Sequence, residues 1–346
     1  MSRCCLLGLA LAVVLTASCS PARDSGDLTI DLPTWTLSAE PMETLGDDGT
    51  ADRMFSGIQV ARLPDRQLLV AERGTKELRL FRDGVLTARL SRDGDGPGEL
   101  RDLSRITVSG DTIVVIPLPM VSREVSTFTG AGGFVSRRRL RAPAGGPAVT
   151  PIALLASGEF LVEEGRGVRA FNEVPPLGVL MPDSVTLGLL RQPASVSTGV
   201  YRPLGRFVRG AMVAHRIEGA PIPFSMARVS LAPSSAWAAS GGLVWIADAA
   251  TGALRAFDGT GEPVVSATLP VRPRPLDAAA IEQSRDRALA SARTGIDSAA
   301  ALASHDPVLL PPTLPILDGV VAGHDGEVWV RLFQLEAGPT SEYLVV

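Results

Sequence analysis

The chain has 346 residues, a formal net charge of −4 and a hydrophobic content of 45%, of which few residues are aromatic. This acidic balance supplies no basic surface for nucleic acid, and we expect no nucleic-acid partner. The length exceeds that of most single domains, although all-β folds often reach it as one domain.

The N-terminal residues resemble the signal of a bacterial lipoprotein. Arg3 provides a positive charge, residues 6–15 form a short apolar run, and small residues follow. The segment Leu15-Thr16-Ala17-Ser18-Cys19 resembles a lipobox, with threonine at a position where that pattern prefers leucine. The apolar run is too short to span a bilayer stably as a helix. The alternative is an ordinary signal peptide that is cleaved elsewhere, in which case Cys19 has no special role.

This resemblance implies a lipid-anchored protein of the bacterial cell envelope, on the outer membrane or the periplasmic face. Residues 1–18 would be the signal peptide, Cys19 would carry the lipid, and residues 19–45 would form a tether and a closing outer strand. Cys4 and Cys5, which are the only other cysteines, would leave with the signal. The mature chain would then have neither a disulfide framework nor a thiolate metal site.

Short apolar runs follow tight-turn signals at five places along the chain. Each run is rich in β-branched or aromatic residues and too short for a helix, which predicts a strand. The five runs are 67–70, 112–115, 159–162, 243–246 and 327–330.

One internal match suggests a repeat. Val70-Ala71-Glu72 through Phe81 aligns without a gap on Ile246-Ala247-Asp248 through Phe257, at an offset of 176 residues. This offset equals four units of about 44 residues, a length typical of a four-stranded propeller blade. The pattern therefore predicts an all-β, six-bladed β-propeller over residues 46–346. The edges of blades three and four, between residues 175 and 235, stay undefined at this stage.

Two further segments complete the predicted fold. An alanine-rich stretch at about 275–306, with Asp277 as a plausible N-cap, predicts one helical insertion before the last blade. The chain ends at Tyr343–Val346, which would be only the third strand of that blade. Thr34–Ser38 alternates polar and apolar residues, so we expect it to supply the missing outer strand and close the fold by pairing the two ends of the chain.

Two segments of the chain resemble NHL-repeat and related propellers. Ile246-Ala247-Asp248, followed by Leu254–Gly261, is similar to that repeat, and residues 92–100 (RDGDGPGEL) resemble a Gly-Pro-Gly-Glu segment of bacterial six-bladed propeller lipoproteins of unassigned function. Leu332 falls where an acid would align in the last blade, so the resemblance does not imply one acidic residue in every blade.

The candidate site residues are recurring acid and arginine pairs. Glu72 with Arg79 and Asp248 with Arg255 stand at the same separation, and Arg331 in the last blade is a further candidate. These side chains could face a central channel or its loops as ligands. The alternative is that they form cross-strand pairs that brace each blade.

Linear motifs for catalysis are scarce. The loop 93–99 has three acids, but its spacing departs from a calcium-binding EF-hand and favours a glycine-rich turn. The sequence has no G-x-S-x-G elbow and no phosphate-binding loop, and His215, His305 and His324 lack the spacing of a zinc site.

These observations favour a binding or scaffold module for a protein or a small ligand. We expect it to be attached to a membrane by its lipid and to be a monomer. No cofactor is expected for that function, and whether the protein is an enzyme stays open. The alternative is a metal-dependent hydrolase or lyase similar to lactonase-like six-bladed propellers, with a divalent metal such as calcium in the channel.

Overall fold

The computed structural model describes residues 34–36, 45, 57–63, 66–118, 124–165, 175–193, 195–217, 224–240, 242–323, 327–335 and 341–345. The predicted signal peptide and Cys19 lie outside these residues. The described chain forms five antiparallel sheets and two helices, which confirms the predicted all-β, propeller-like class.

The first and second sheets each contain four strands in chain order, after β1 (Thr34–Thr36), which belongs to the fifth sheet. The strands of the first sheet are β2 (Ile58–Arg62), β3 (Gln67–Glu72), β4 (Glu77–Arg82) and β5 (Val85–Arg89). Those of the second sheet are β6 (Arg105–Ser109), β7 (Thr112–Ile116), β8 (Glu124–Thr129) and β9 (Phe134–Arg139).

The third sheet has five strands and is dominated by a long hairpin. Its strands are β10 (Val149–Leu154), β11 (Phe160–Glu164), β12 (Leu180–Arg191), β13 (Val200–Arg216) and β14 (Phe224–Arg228). β12 and β13 pair over their whole shared length, from Leu180 opposite Val213 to Arg191 opposite Val200. The stretch expected to contain two blades therefore forms parts of a single sheet.

The predicted number of six blades is not confirmed, because the described residues contain five sheets. β3, β7 and β11 begin at residues 67, 112 and 160, which agrees with a short repeat, but the equivalent strand of the fourth sheet begins only at residue 243. The 176-residue offset thus spans three sheets, since the long hairpin enlarges the third.

The fourth sheet consists of β15 (Ser235–Ser240), β16 (Leu243–Asp248), β17 (Ala253–Phe257) and β18 (Pro263–Thr268). The helical insertion follows it, at the predicted place. The insertion contains two helices, α1 (Ala278–Ser291) and α2 (Gly295–Ser304). Asp277 is the N-cap of α1, as predicted, and accepts a hydrogen bond from the Ala280 N–H at 2.8 Å. The chain leaves the helical conformation at Ala292, and a capping box between Thr294 and Asp297 starts the second helix.

The fifth sheet joins the two ends of the chain. β19 (Leu317–Ala322), β20 (Val328–Leu332) and β21 (Glu342–Val345) are followed in space by β1, in the order β19-β20-β21-β1. Trp35 lies opposite Tyr343 and Thr36 lies opposite Glu342 in an antiparallel ladder. The predicted pairing of the chain ends is therefore confirmed, over three residues of the expected segment.

Successive sheets bury their second and third strands against each other. In β7, Ile113 and Val115 pack into the core shared with the first sheet, whereas Val114 and Ile116 pack into the core shared with the third. The same division occurs in β16, whose alternate residues belong to the cores on its two sides. Because both faces are buried, these strands are continuous apolar runs and do not alternate with polar residues.

We expect loss of β1 to destabilise the fold, because β21 would become an exposed sheet edge. A chain that begins at residue 37 should melt several degrees lower than a chain that begins at residue 33, measured by circular dichroism or calorimetry. Equal melting temperatures for the two truncations would show that the pairing of β1 with β21 contributes nothing.

Candidate functional site

A central cavity of about 950 Å³ is the candidate binding site. Residues from the first strands of all five sheets line it, namely β2, β6, β10, β15 and β19. Each of these strands is at one end of its sheet, so one edge pairs with the second strand and the other has no strand of the same sheet beside it. The volume is in the range of cavities that hold small organic molecules.

The cavity wall combines polar surface with several apolar side chains. Val60 and Val321 line it and are each 54% exposed, although large apolar side chains of this kind are usually buried. Ile106, Val108 and Leu154 add to the same wall. The cavity therefore presents apolar surface that a ligand could cover.

Gln59 connects the first strands of neighbouring sheets. Its side-chain amide donates to the Ser104 carbonyl at 3.0 Å and accepts from the Ile106 N–H at 2.8 Å. The guanidinium of Arg73 donates to the same Ser104 carbonyl at 2.8 Å. These bonds satisfy backbone groups at the start of β6 and hold β2 against β6.

The charged side chains among the described lining residues are Arg62 and Arg105. Arg105 is accessible from the cavity but partly enclosed by protein, and this burial lowers the pKa of its guanidinium. The charge of Glu163 opposes that shift, and the charge of Arg73 adds to it. Arginine nevertheless stays protonated in proteins, so the cavity contains a partly desolvated cation.

The carboxylate of Glu163 already has a closer partner. Arg209 Nη1 lies 2.6 Å from Glu163 Oε1. The buried Asp183 lies 3.9 Å from both Arg209 Nε and Arg228 Nη2. Because Glu163 is shared with Arg209, it compensates the charge of Arg105 only in part.

The predicted site residues of the first sheet are both buried, Glu72 at the end of β3 and Arg79 on β4. Glu72 Oε1 accepts from the Gly74 N–H at 2.9 Å, and Arg79 Nε donates to Glu77 Oε2 at 2.7 Å. Val70 lies opposite Arg79 in the ladder between β3 and β4. Arg79 thus has Glu77 as an ion-pair partner in the same hairpin.

The predicted residues of the later sheets also have local partners or are exposed. Asp248 Oδ1 accepts from two N–H groups of the following turn, at 2.8 and 3.0 Å. Arg255 is exposed on β17. Arg331 Nε donates to Asp318 Oδ1 at 2.5 Å, and this hydrogen bond raises the pKa of Arg331. The described lining of the central cavity includes none of the five predicted residues.

The carboxylates of the glycine-rich loop 93–99 pair with cationic side chains, and one of them also accepts a backbone hydrogen bond. Asp93 pairs with Lys76 at 2.9 Å and Glu99 pairs with Arg92 at 2.7 Å, while Asp95 pairs with Arg101. Glu99 also accepts from the Gly96 N–H at 2.8 Å. Gly94 has a φ of 151°, which side chains rarely allow. These contacts support the interpretation of this segment as a turn.

A histidine joins the two helices. His305 is 3% exposed, and its Nδ1 lies 2.7 Å from the Ala301 carbonyl oxygen. If Nδ1–H donates to this carbonyl, Nε2 is left to accept from the Ser284 hydroxyl at 2.9 Å. Sequence reasoning missed this contact because the two residues lie on different helices.

Sequence reasoning also missed the residues of the central cavity. Gln59, Arg62 and Arg105 occupy the strands that precede the recognised turn and apolar run in the first two sheets. The available signal was their position one strand before each turn, since the first strands of a propeller surround its axis.

Within the described residues, no group of three or more His, Cys, Asp or Glu side chains is placed to hold a metal ion. None of the helices in that part of the chain is long and apolar enough to cross a membrane. The five sheets and their shared cavity define an all-β, propeller-like protein.

No protein-family model matches the chain, and no curated protein matches it significantly. Among solved structures it is similar to a Bacteroides fragilis protein described as exported, at 13% identity over 90% of this chain and 72% of that one, with a TM-score of 0.43. It is also similar to virginiamycin B lyase from Staphylococcus aureus, at 10% identity over 91% of this chain and 89% of that one, with a TM-score of 0.35. At TM-scores below 0.5 these likenesses carry no argument about activity or ligand.

We expect Gln59→Met to destabilise the protein by about 1–2 kcal/mol, because it removes two hydrogen bonds between β2 and β6 at nearly constant volume. Urea denaturation would measure this change in the free energy of unfolding. Gln67→Met, at a half-buried position on the adjacent strand β3, is the matched control. An equal effect of the two substitutions would contradict the bracing role of Gln59.

Proposed function

We propose that this chain is a lipid-anchored binding protein of the bacterial cell envelope. In its central cavity it would hold a small organic anion that has an apolar body. The observation that carries the proposal is the combination of exposed apolar side chains in the cavity wall with Arg62 and Arg105 as its described charged residues. The N-terminal resemblance to a lipobox and the resemblance to propeller lipoproteins support the location. The number of blades and the relation to NHL repeats are not needed for this function.

The charge and polarity of the cavity define the class of ligand. An apolar body would cover Val60 and Val321, which are otherwise exposed. A carboxylate or sulfonate would pair with the guanidinium of Arg105, which burial deprives of part of its hydration and which Glu163 compensates only in part. The first strands fix the positions of these side chains, because each is paired to a sheet whose second strand is buried on both faces.

The anionic dye 1-anilinonaphthalene-8-sulfonate is a suitable probe, since it combines an aromatic body with a sulfonate. We expect a saturable rise in its fluorescence with the wild-type protein, and a loss of at least tenfold in affinity for Val321→Glu, which places an anion in the cavity. Val85→Glu is the matched control, because Val85 is 60% exposed on β5 and is not part of the described lining. Equal affinities of the two variants would contradict binding in the cavity.

The contribution of charge is tested separately with Arg105→Met. This substitution should weaken binding of the sulfonate dye roughly tenfold, the value of one charge-assisted contact, and leave binding of uncharged N-phenyl-1-naphthylamine unchanged. Arg101→Met is the control, since Arg101 pairs with Asp95 outside the cavity. An equal loss for both dyes would show that Arg105 acts through packing and not through its charge.

The lipid anchor is tested with Cys19→Ser in a Gram-negative host. We expect the wild-type protein to partition into the detergent phase of Triton X-114 and the variant into the aqueous phase, because attached acyl chains provide the membrane affinity. Cys5→Ser, within the predicted signal peptide, should behave as the wild type. Aqueous partitioning of the wild type would reject the anchor without affecting the ligand proposal.

A further inference from the structure

A second cavity, separate from the central one, lies between the third and fourth sheets. It has a volume of about 560 Å³ and is lined by the turn before β11, the ends of β12 and β13 that face each other, and the turn between β17 and β18. We call it the intersheet pocket. It shares no lining residue with the central cavity among those described.

A buried carboxylate oxygen in this pocket has no hydrogen-bond partner. Glu159 precedes β11 and is 7% exposed, and its Oε2 atom is buried and unpaired. Its other oxygen, Oε1, lies 3.7 Å from Arg191 Nε, which is beyond a good hydrogen bond. An unpaired buried carboxylate oxygen carries a desolvation penalty that a cationic donor would remove.

The opposite turn packs closely against this part of Glu159. A Cβ at Gly259 would lie 3.2 Å from Glu159 Oε2 and 2.6 Å from Ser157 Oγ, so any side chain there would intrude on both groups. Asp258, beside it, is committed to its own turn: its Oδ1 accepts from the N–H and hydroxyl groups of Thr260 at 2.8 and 2.6 Å. Glu159 is therefore the acid in this pocket whose carboxylate has no close hydrogen-bond partner among the described residues.

The remaining wall combines apolar surface with cations. Leu189 and Val200 line the pocket, and Val200 is 72% exposed. Arg191 and Arg202 line it as well, and the ion pairs among the described residues include Arg191 only at 3.7 Å and Arg202 not at all. The pocket thus combines the carboxylate of Glu159, two weakly paired guanidinium groups and an apolar wall. This combination complements a zwitterion with an apolar substituent.

We propose that the intersheet pocket binds a free α-amino acid with an apolar side chain. Its ammonium group pairs with the carboxylate of Glu159, its carboxylate pairs with Arg191 or Arg202, and its side chain covers Val200. A bare metal ion fits less well, because the pocket offers a single available carboxylate and two cations that repel it.

Isothermal titration calorimetry of the full mature chain with L-leucine tests the proposal. We expect saturable binding, weakened at least tenfold for 4-methylpentanoic acid, which lacks the ammonium, and for leucinamide, which lacks the carboxylate. Glu159→Gln should weaken L-leucine binding at least tenfold. Glu262→Gln, at an exposed position in the neighbouring turn outside the lining, should bind as the wild type does.

Two further measurements keep the outcome clear. Gly259→Ala should also abolish binding, because the added Cβ would collide with Ser157 and displace Glu159, and circular dichroism will show whether this variant folds. Glu159→Gln should leave binding of the anilinonaphthalene dye unchanged, so failure of this proposal and failure of the central-cavity proposal can be distinguished. Absence of saturable heat with L-leucine, or equal affinity of Glu159→Gln and the wild type, would overturn the proposal.

Discussion

Burial of both faces of the inner sheet strands is the constraint on which this structure depends. Ile113 and Val114 are adjacent on β7, yet one packs toward the first sheet and the other toward the third. Phe160 and Leu161 divide in the same way between the second and fourth sheets. No sheet in the middle of this series can bury its apolar residues alone, so the sheets stabilise one another in sequence around the chain.

This packing leaves the first strand of each sheet with a different environment. Its unpaired edge faces the central cavity, where backbone groups need other partners, and Gln59 supplies them at Ile106. The same position leaves Val60 and Val321 exposed and brings Arg105 to the wall. The proposed ligand would thus bind at a place where the stacking of sheets leaves apolar surface exposed and charge only partly compensated.

The third sheet shows how a local insertion creates a second environment. Its long hairpin β12–β13 extends beyond β11, and its ends, at Arg191 and Val200, lie beside the turn of the fourth sheet that contains Gly259. Helix α2 covers another part of the same hairpin, where Val213 and Ala227 share an apolar cluster with Ala300 and Ala303. The elongation that disturbs the repeat therefore builds the platform for the helices, whereas the intersheet pocket lies at the opposite end of the hairpin, beside β11.

The second strands, the cap at Asp277 and the pairing of the chain ends could be predicted, because turn residues, apolar runs and capping side chains act within a few residues of each other. The five-sheet arrangement could not be predicted, since no local signal distinguishes two short hairpins from one long hairpin between residues 175 and 235. The acid and arginine pairs at Glu72 and Asp248 were visible as a repeat in the sequence. Only the fold shows that the two acids and Arg79 have hydrogen-bond or ion-pair partners in their own turns and hairpins. By itself the sequence determined which segments become strands and helices. Only the tertiary structure decided which side chains share a cavity, because Arg105 and Val321, like Glu159 and Gly259, come together only through the packing of different sheets.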